Sequence, residues 1–384
     1  MKQLPGYSWV EVSERALVAN IRAHRRLIGS KVKLMAVVKS NAYGHGLELT
    51  ARVAQRSRQV DWLGVANINE ALVLRASDIT LPILVLSYFR PFVQQDLIKA
   101  ISNRISFVVY ELEQIKALEQ AARHTGKRAA VHLKIETGMA RLGIMPHDAL
   151  NFIKKISTSP YLKLEGLASH LATAESRNQT FLNKQLLQFD NFISSVKATV
   201  PNDILRHIAC SAAISTSSKS HNSLVRLGIA LYGLWPSDEN KEMAISRNPK
   251  FKLTPALTWK TQVIEVQKLP AGTPVGYDNT YVTKRPTVMA AIPIGYYDGF
   301  DRKLSNTGEV IIRNKICHVI GRVCMNITMI DVTDITGVVV GDEVIIIGKN
   351  RDAEIEVNKI AKVVGTINYE IVTRINPALP RILV

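Results

Sequence analysis

Two hydrophobic rhythms divide the chain. Through the first two-thirds, short apolar runs alternate with amphipathic stretches. The runs cover residues 34–38, 62–66, 83–86, 105–109, 131–135, 164–168 and 224–229. Between them, residues 13–28 place Leu17, Ile21 and Leu27 near one helical face, with Ser13 as the expected N-cap. Residues 111–124 repeat that pattern and run into Thr125-Gly126, a helix stop. Such alternation over roughly 230 residues predicts a parallel α/β fold, and a (β/α)8 TIM-type barrel is its commonest closed form at that length. From Ala256 onward the rhythm changes. Strand-like runs at 258–266, 287–292, 309–312, 317–323, 328–332 and 343–347 are punctuated by Pro274, Gly276, Gly295, Gly308, Gly321 and Gly341, as antiparallel β-structure requires. We therefore expect a barrel over residues 1–245, its first strand assignable to either domain, and a mainly antiparallel β-domain over 246–384. The linker is expected at 235–240 and the polar residues that follow.

Composition narrows the function classes. A chain of 384 residues exceeds one compact core. With 47% hydrophobic and 21% charged residues it is globular rather than disordered. Three cysteines, Cys210, Cys317 and Cys324, are too few for a disulfide framework, which favours a reducing, cytoplasmic setting. Residues 1–5 lack a secretory signal's apolar run, and no stretch approaches the roughly 20 apolar residues of a membrane span. The net charge of +17 raises the question of nucleic acid. However, the basic residues are dispersed, without a tail or interleaved aromatics, so neither nucleic acid nor membrane is expected as a partner.

The candidate chemistry begins at Lys39, which directly follows the apolar run 34–38. Barrel enzymes carry their catalytic groups at the C-terminal ends of strands. Desolvation there lowers a lysine's pKa and frees its amine to attack a carbonyl. A solvated lysine at a strand end is an equally good reading of this residue taken alone. Small residues and Tyr43 follow it. A second feature, Val225-Arg226-Leu227-Gly228-Ile229, reads as a late strand and a turn whose Gly228 and Ile229 amides suit a phosphate, with Ser211 able to add a hydroxyl. Packing glycines and an N-cap serine would explain the same residues. Arg226 interrupts an apolar segment and needs a partner, for which His170 is a candidate. His132 and Lys134 alternate with apolar residues and so share one strand face, while Arg141 follows in a loop where it could grip a carboxylate. No paired zinc-ligand spacing, Walker loop or strand-linked Gly-x-Gly-x-x-Gly appears, so no metal is expected.

Taken together, these segments resemble the alanine racemase family over nearly the whole chain. Ala36-Val37-Val38-Lys39-Ser40-Asn41-Ala42-Tyr43-Gly44-His45-Gly46 is similar to that family's pyridoxal phosphate signature. Further similar blocks lie at 132–143, 165–170, 225–234, 276–281, 292–299, 321–325 and 366–370. The resemblance implies a head-to-tail homodimer that interconverts L- and D-alanine with pyridoxal 5'-phosphate, using two bases. Lys39 would carry the cofactor and serve one face of the substrate. Tyr277 of the other subunit would serve the opposite face, with Met325 close by. The phosphate would be held by Tyr43, Ser211, Gly228, Ile229 and Tyr369. Arg226 would face the pyridine nitrogen with His170 behind it, and Arg141 would bind the substrate carboxylate. Lys134 corresponds to a lysine that is carbamylated in many relatives. D-alanine for cell-wall (peptidoglycan) precursors and catabolic interconversion are both compatible with it.

Three positions depart from the family pattern. Asn326 replaces an aspartate after Met325, Cys210 replaces an asparagine before Ser211, and Asp278 replaces a glycine after Tyr277. They leave serine or a broader amino-acid range open as substrate. A decarboxylase of the same architecture would normally place a carboxylate where Arg226 stands. A non-catalytic pyridoxal phosphate carrier would resemble the barrel alone.

Overall fold

The computed structural model describes residues 6–90 and 93–384. Residues 1–5, read above for a secretory signal, lie outside them. The chain falls into two compact units, one of residues 15–42 and 47–255, the other of residues 6–14, 43–46 and 256–384.

Among the described residues of the first unit, eight parallel strands form a nearly closed barrel. In spatial order they are Leu205–His207, Leu162–Ala168, Ala129–Lys134, Ile105–Val109, Ile83–Val85, Trp62–Val65, Lys33–Val37 and Leu224–Leu227. The two end strands meet through Arg206, whose N–H donates to Ser223 Oγ at 2.7 Å, and through the Arg226 N–H, which donates to Ala209 O at 3.1 Å. Seven of these strands coincide with the apolar runs, because strands buried on both faces carry little polar alternation. The eighth, Leu205–His207, is too short and too polar to stand out. Helix Glu14–Ile28 buries Ala16, Leu17, Ile21 and Ile28. Helix Leu112–Thr125 ends at Gly126, which takes a left-handed φ of 64°. The residues expected as a linker instead carry helix Asp238–Arg247, capped by Ser237, whose side chain accepts the Asn240 N–H at 3.0 Å.

The second unit is mostly antiparallel. Its larger sheet contains Ser8–Val12, which pairs antiparallel with Leu257–Gln262 and parallel with Arg381–Leu383. Thr287–Ile292 is the middle of a three-stranded sheet, between Glu265–Leu269 and Thr328–Asp331. The expected single run at 258–266 is thus two strands in two sheets. Trp9, Trp259 and Phe300 are buried at its core, the last two in edge contact at 6.4 Å. Residues 43–46 belong here because Arg381 Nε donates to Gly44 O at 3.0 Å. Gly44 has φ 83°, and a Cβ on it would overlap the Val372 carbonyl. Among the described residues, no helix is long and apolar enough to cross a membrane, and no group of His, Cys, Asp or Glu is placed to hold a metal ion.

Candidate active site

Lys39 stands just beyond the C-terminal end of barrel strand Lys33–Val37 and opens an unusual turn. Ser40, Asn41, Ala42 and Tyr43 all take left-handed backbone angles, with φ between 52° and 57°. For L-residues with a Cβ this costs roughly 1–2 kcal/mol each, so the turn must be held from outside. The ties are visible within the barrel unit. Ala42 N–H donates to Val38 O at 2.8 Å and Leu47 N–H to Asn41 Oδ1 at 2.9 Å. The Glu70 carboxylate accepts the Ser40 N–H at 2.6 Å through one oxygen and the Ala66 N–H at 2.8 Å through the other. Sustained strain of this kind is characteristic of functional sites.

The electrostatics around Lys39 disfavour its charged form. Burial lowers its pKa first, and the Arg141 charge lowers it further, against a weaker opposing pull from Glu70. Lys134 is affected more strongly. Desolvation, then Arg226, Arg141 and Lys39, bring it from its ordinary 10.5 to about 8. Lys39, Lys134, Arg141 and Arg226 therefore share one field, a concentration of positive charge suited to an anionic ligand.

Arg226 is buried, with 7% exposure. Its Nη2 donates to Ser169 O at 2.8 Å, to His170 Nδ1 at 3.0 Å and to Ile208 O at 3.1 Å. Its Nη1 donates to His207 Nδ1 at 2.7 Å and to the His207 carbonyl at 3.0 Å. Burial followed by the Arg226 charge holds both His170 and His207 well below the usual imidazole range, so both are neutral acceptors. The expected His170 contact is thus present. His207 was missed, and the only sequence signal for it was a histidine in the short run 205–207.

Ser211, at the start of helix Ser211–Thr216, lies beside the turn after strand Leu224–Leu227. Its Oγ accepts the Gly228 N–H at 2.8 Å and the Ala230 N–H at 3.4 Å. The barrel unit therefore gathers an amine, a guanidinium, a hydroxyl and a glycine turn at strand ends. That donor set matches what pyridoxal phosphate presents: an aldehyde, a ring nitrogen and a phosphate.

The other candidates belong to the second unit. The Tyr43 and Tyr369 rings approach to 6.2 Å. Tyr277 and Met325 are 69% and 54% exposed. Asp278, the departure beside Tyr277, adopts φ 60° and sits 3.6 Å from Arg322 Nε. Aspartate is among the few side chains that tolerate this conformation.

Residues 12–236 match the family model described as alanine racemase, N-terminal domain, and residues 256–383 the one described as alanine racemase, C-terminal domain. Alanine racemase 2 of Caldanaerobacter subterraneus subsp. tengcongensis is 39% identical over 376 residues, covering 98% of this chain and 94% of that protein. The solved alanine racemase of Clostridium difficile 630 superposes with a TM-score of 0.92 at 31% identity, covering 100% of this chain and 97% of the other. A histidine racemase from Leuconostoc mesenteroides subsp. sake superposes at 0.88 with 28% identity, covering 100% of both chains.

Proposed function

The chain belongs to the alanine racemase family, and from that premise we propose that Lys39 and Tyr277 are the two bases of its reaction. The protein is an isomerase that interconverts L- and D-alanine with pyridoxal 5'-phosphate. When bound, that cofactor supplies an electron sink that acidifies the α-proton of the amino acid.

The protein's own residues do the rest. Lys39 would hold the cofactor through its amine and would take or return the α-proton on one face of the bound amino acid. Its lowered pKa keeps a larger share of the amine free for both tasks. Tyr277 from the second subunit of a homodimer works on the opposite face, and its exposure leaves the phenol available to a partner. Two bases on opposite faces invert the centre without turning the substrate. Met325 of that second subunit would lie close by.

Ser211, Gly228 and Ile229 would hold the phosphate of the bound cofactor. Arg226 would face the pyridine nitrogen, steadied by its contact with His170. Because a guanidinium stays protonated, it disfavours a proton on that nitrogen and weakens the electron sink. This limits side reactions such as transamination. Arg141 would bind near the phenolic oxygen of the cofactor and the substrate carboxylate. Burial and then neighbouring cations raise the free-amine share of Lys134, and that amine would add dissolved carbon dioxide, releasing a proton to solvent and leaving a carbamate anion able to pair with Arg141. The setting is cytoplasmic.

The observation that carries this reading is the strained turn behind Lys39, held by Glu70 in a field of arginines. Chiral chromatography after incubation with pyridoxal phosphate and an amino-acid panel tests it. D-alanine should form from L-alanine; no inverted product from any amino acid would end the proposal. The exposed Asn326, together with similarity to a histidine racemase, makes the rest of the panel informative about substrates beyond alanine.

A further inference from the structure

A buried hydrogen-bond chain runs from Arg226 into the barrel, and its far end lies away from the proposed reacting groups. His207 accepts from Arg226 at Nδ1, as described, and its Nε2 lies 2.9 Å from His132 Nδ1. His132 Nε2 has no hydrogen-bond partner but faces Glu165 Oε2 at 3.5 Å. Ser106 Oγ donates to that same oxygen at 2.7 Å, and Lys163 Nζ lies 3.2 Å from the other. Both imidazoles are wholly buried.

The polarity of this chain is dictated from its ends. A guanidinium only donates, so His207 Nδ1 carries no proton and its ring hydrogen is on Nε2. That hydrogen is given to His132 Nδ1, so the His132 hydrogen is on Nε2, aimed at the carboxylate. Burial would raise the Glu165 carboxyl, but the facing His132 imidazole and the Ser106 hydroxyl bring it down to about 2, so it is an anion. Arg226 itself bonds only to imidazole nitrogens and backbone carbonyls among the described residues. Glu165 is the anion its chain reaches.

Backbone geometry makes room for this arrangement. The strand register shifts between Val131 and His132, and Gly166 then pairs with His132. A Cβ at Gly166 would overlap the His132 ring.

We propose that Glu165 is a positioning residue for the cofactor site: through His132 and His207 its carboxylate orients the chain's protons and holds the Arg226 guanidinium in place. The inference rests on the assignment of Arg226 to the pyridine nitrogen. Its test is a long-range proton–nitrogen correlation spectrum of the cofactor-free, histidine-labelled full-length protein, paired with equilibrium binding of pyridoxal phosphate.

In the wild type, His132 and His207 should both carry hydrogen on Nε2. Hydrogen on Nδ1 of His207 would overturn the proposal without any variant. Glu165→Gln should move the His207 Nδ1 resonance and weaken pyridoxal phosphate binding about three- to tenfold, the scale of one hydrogen bond's net contribution. Ser106→Ala should move the same resonance less, in the same direction, which keeps the test available if Glu165→Gln fails to fold. An unmoved His207 signal in a folded variant overturns the role of Glu165. A moved signal with unchanged cofactor affinity overturns the inference through the assignment of Arg226 instead, because the chain would then hold an arginine that the cofactor does not meet.

Discussion

Lys39 and Tyr277, the two bases proposed, depend very differently on their surroundings. Burial and Arg141 lower the Lys39 pKa, whereas Tyr277 is exposed on its own subunit. Lys39→Ala should abolish the visible absorbance of lysine-attached pyridoxal phosphate along with turnover; persistence of that band would show that another amine carries the cofactor. Tyr277→Phe should retain the band and lose turnover by about 100-fold or more, the usual contribution of a positioned acid or base. Turnover that survives this change would point to a different second base. Lys134 gives a pH signature. Its folded pKa, about 8, lies below its ordinary 10.5, so between those values the unfolded chain holds a proton that the folded protein has shed. Stability should therefore rise with pH across that window. Urea midpoints of wild type and Lys134→Met, measured in carbonate-free buffer, should diverge in favour of wild type from pH 8 to 10.5. A constant difference would contradict the shift.

Elements set these residues in place through backbone demands that side-chain patterns do not announce. The turn after strand Lys33–Val37 runs left-handed through four successive residues, none of them glycine. Ser40 is its exposed member. Ser40→Gly should raise thermal stability by up to about 1 kcal/mol by relieving that strain, while loosening the turn that presents Lys39. Calorimetry showing destabilisation would mean the turn is not strained there. Strand Leu162–Ala168 makes the opposite demand. Gly166→Ala would drive a methyl group into the His132 ring and should cost about 1–3 kcal/mol, as overpacking of a filled core does. An unchanged urea midpoint would show that the imidazole can retreat.

At the scale of the whole molecule, the decisive question is whether one site draws on two chains. If Tyr277 acts in the partner's site, Lys39→Ala and Tyr277→Phe are defects that different subunits can complement. Co-refolding the two inactive variants should yield mixed dimers, each with one intact and one doubly altered site. That corresponds to about a quarter of wild-type activity under random pairing. Activity that stays at the level of the separate variants would place both bases on the same chain. The charge of +17 also belongs to this scale. The cluster of Lys39, Lys134, Arg141 and Arg226 accounts for a few of those charges, and the other basic residues are dispersed along the chain.

The periodicities determined the elements and the order of the two domain types, because burial along a strand or helix is a local property of its residues. Seven barrel strands were readable in this way, and Leu205–His207 was not, being short and carrying Arg206 and His207. Lys39, Arg226 and Ser211 stood out because their residue types were unusual for where they fell. The partnerships were decided only in three dimensions. His132 meets His207 across 75 residues, and Arg226 meets His170 across 56. Such pairs arise when the parallel strands pair edge to edge and bring inward-facing polar groups into one dry interior, where each must find the others. No period along the chain encodes which of them will meet.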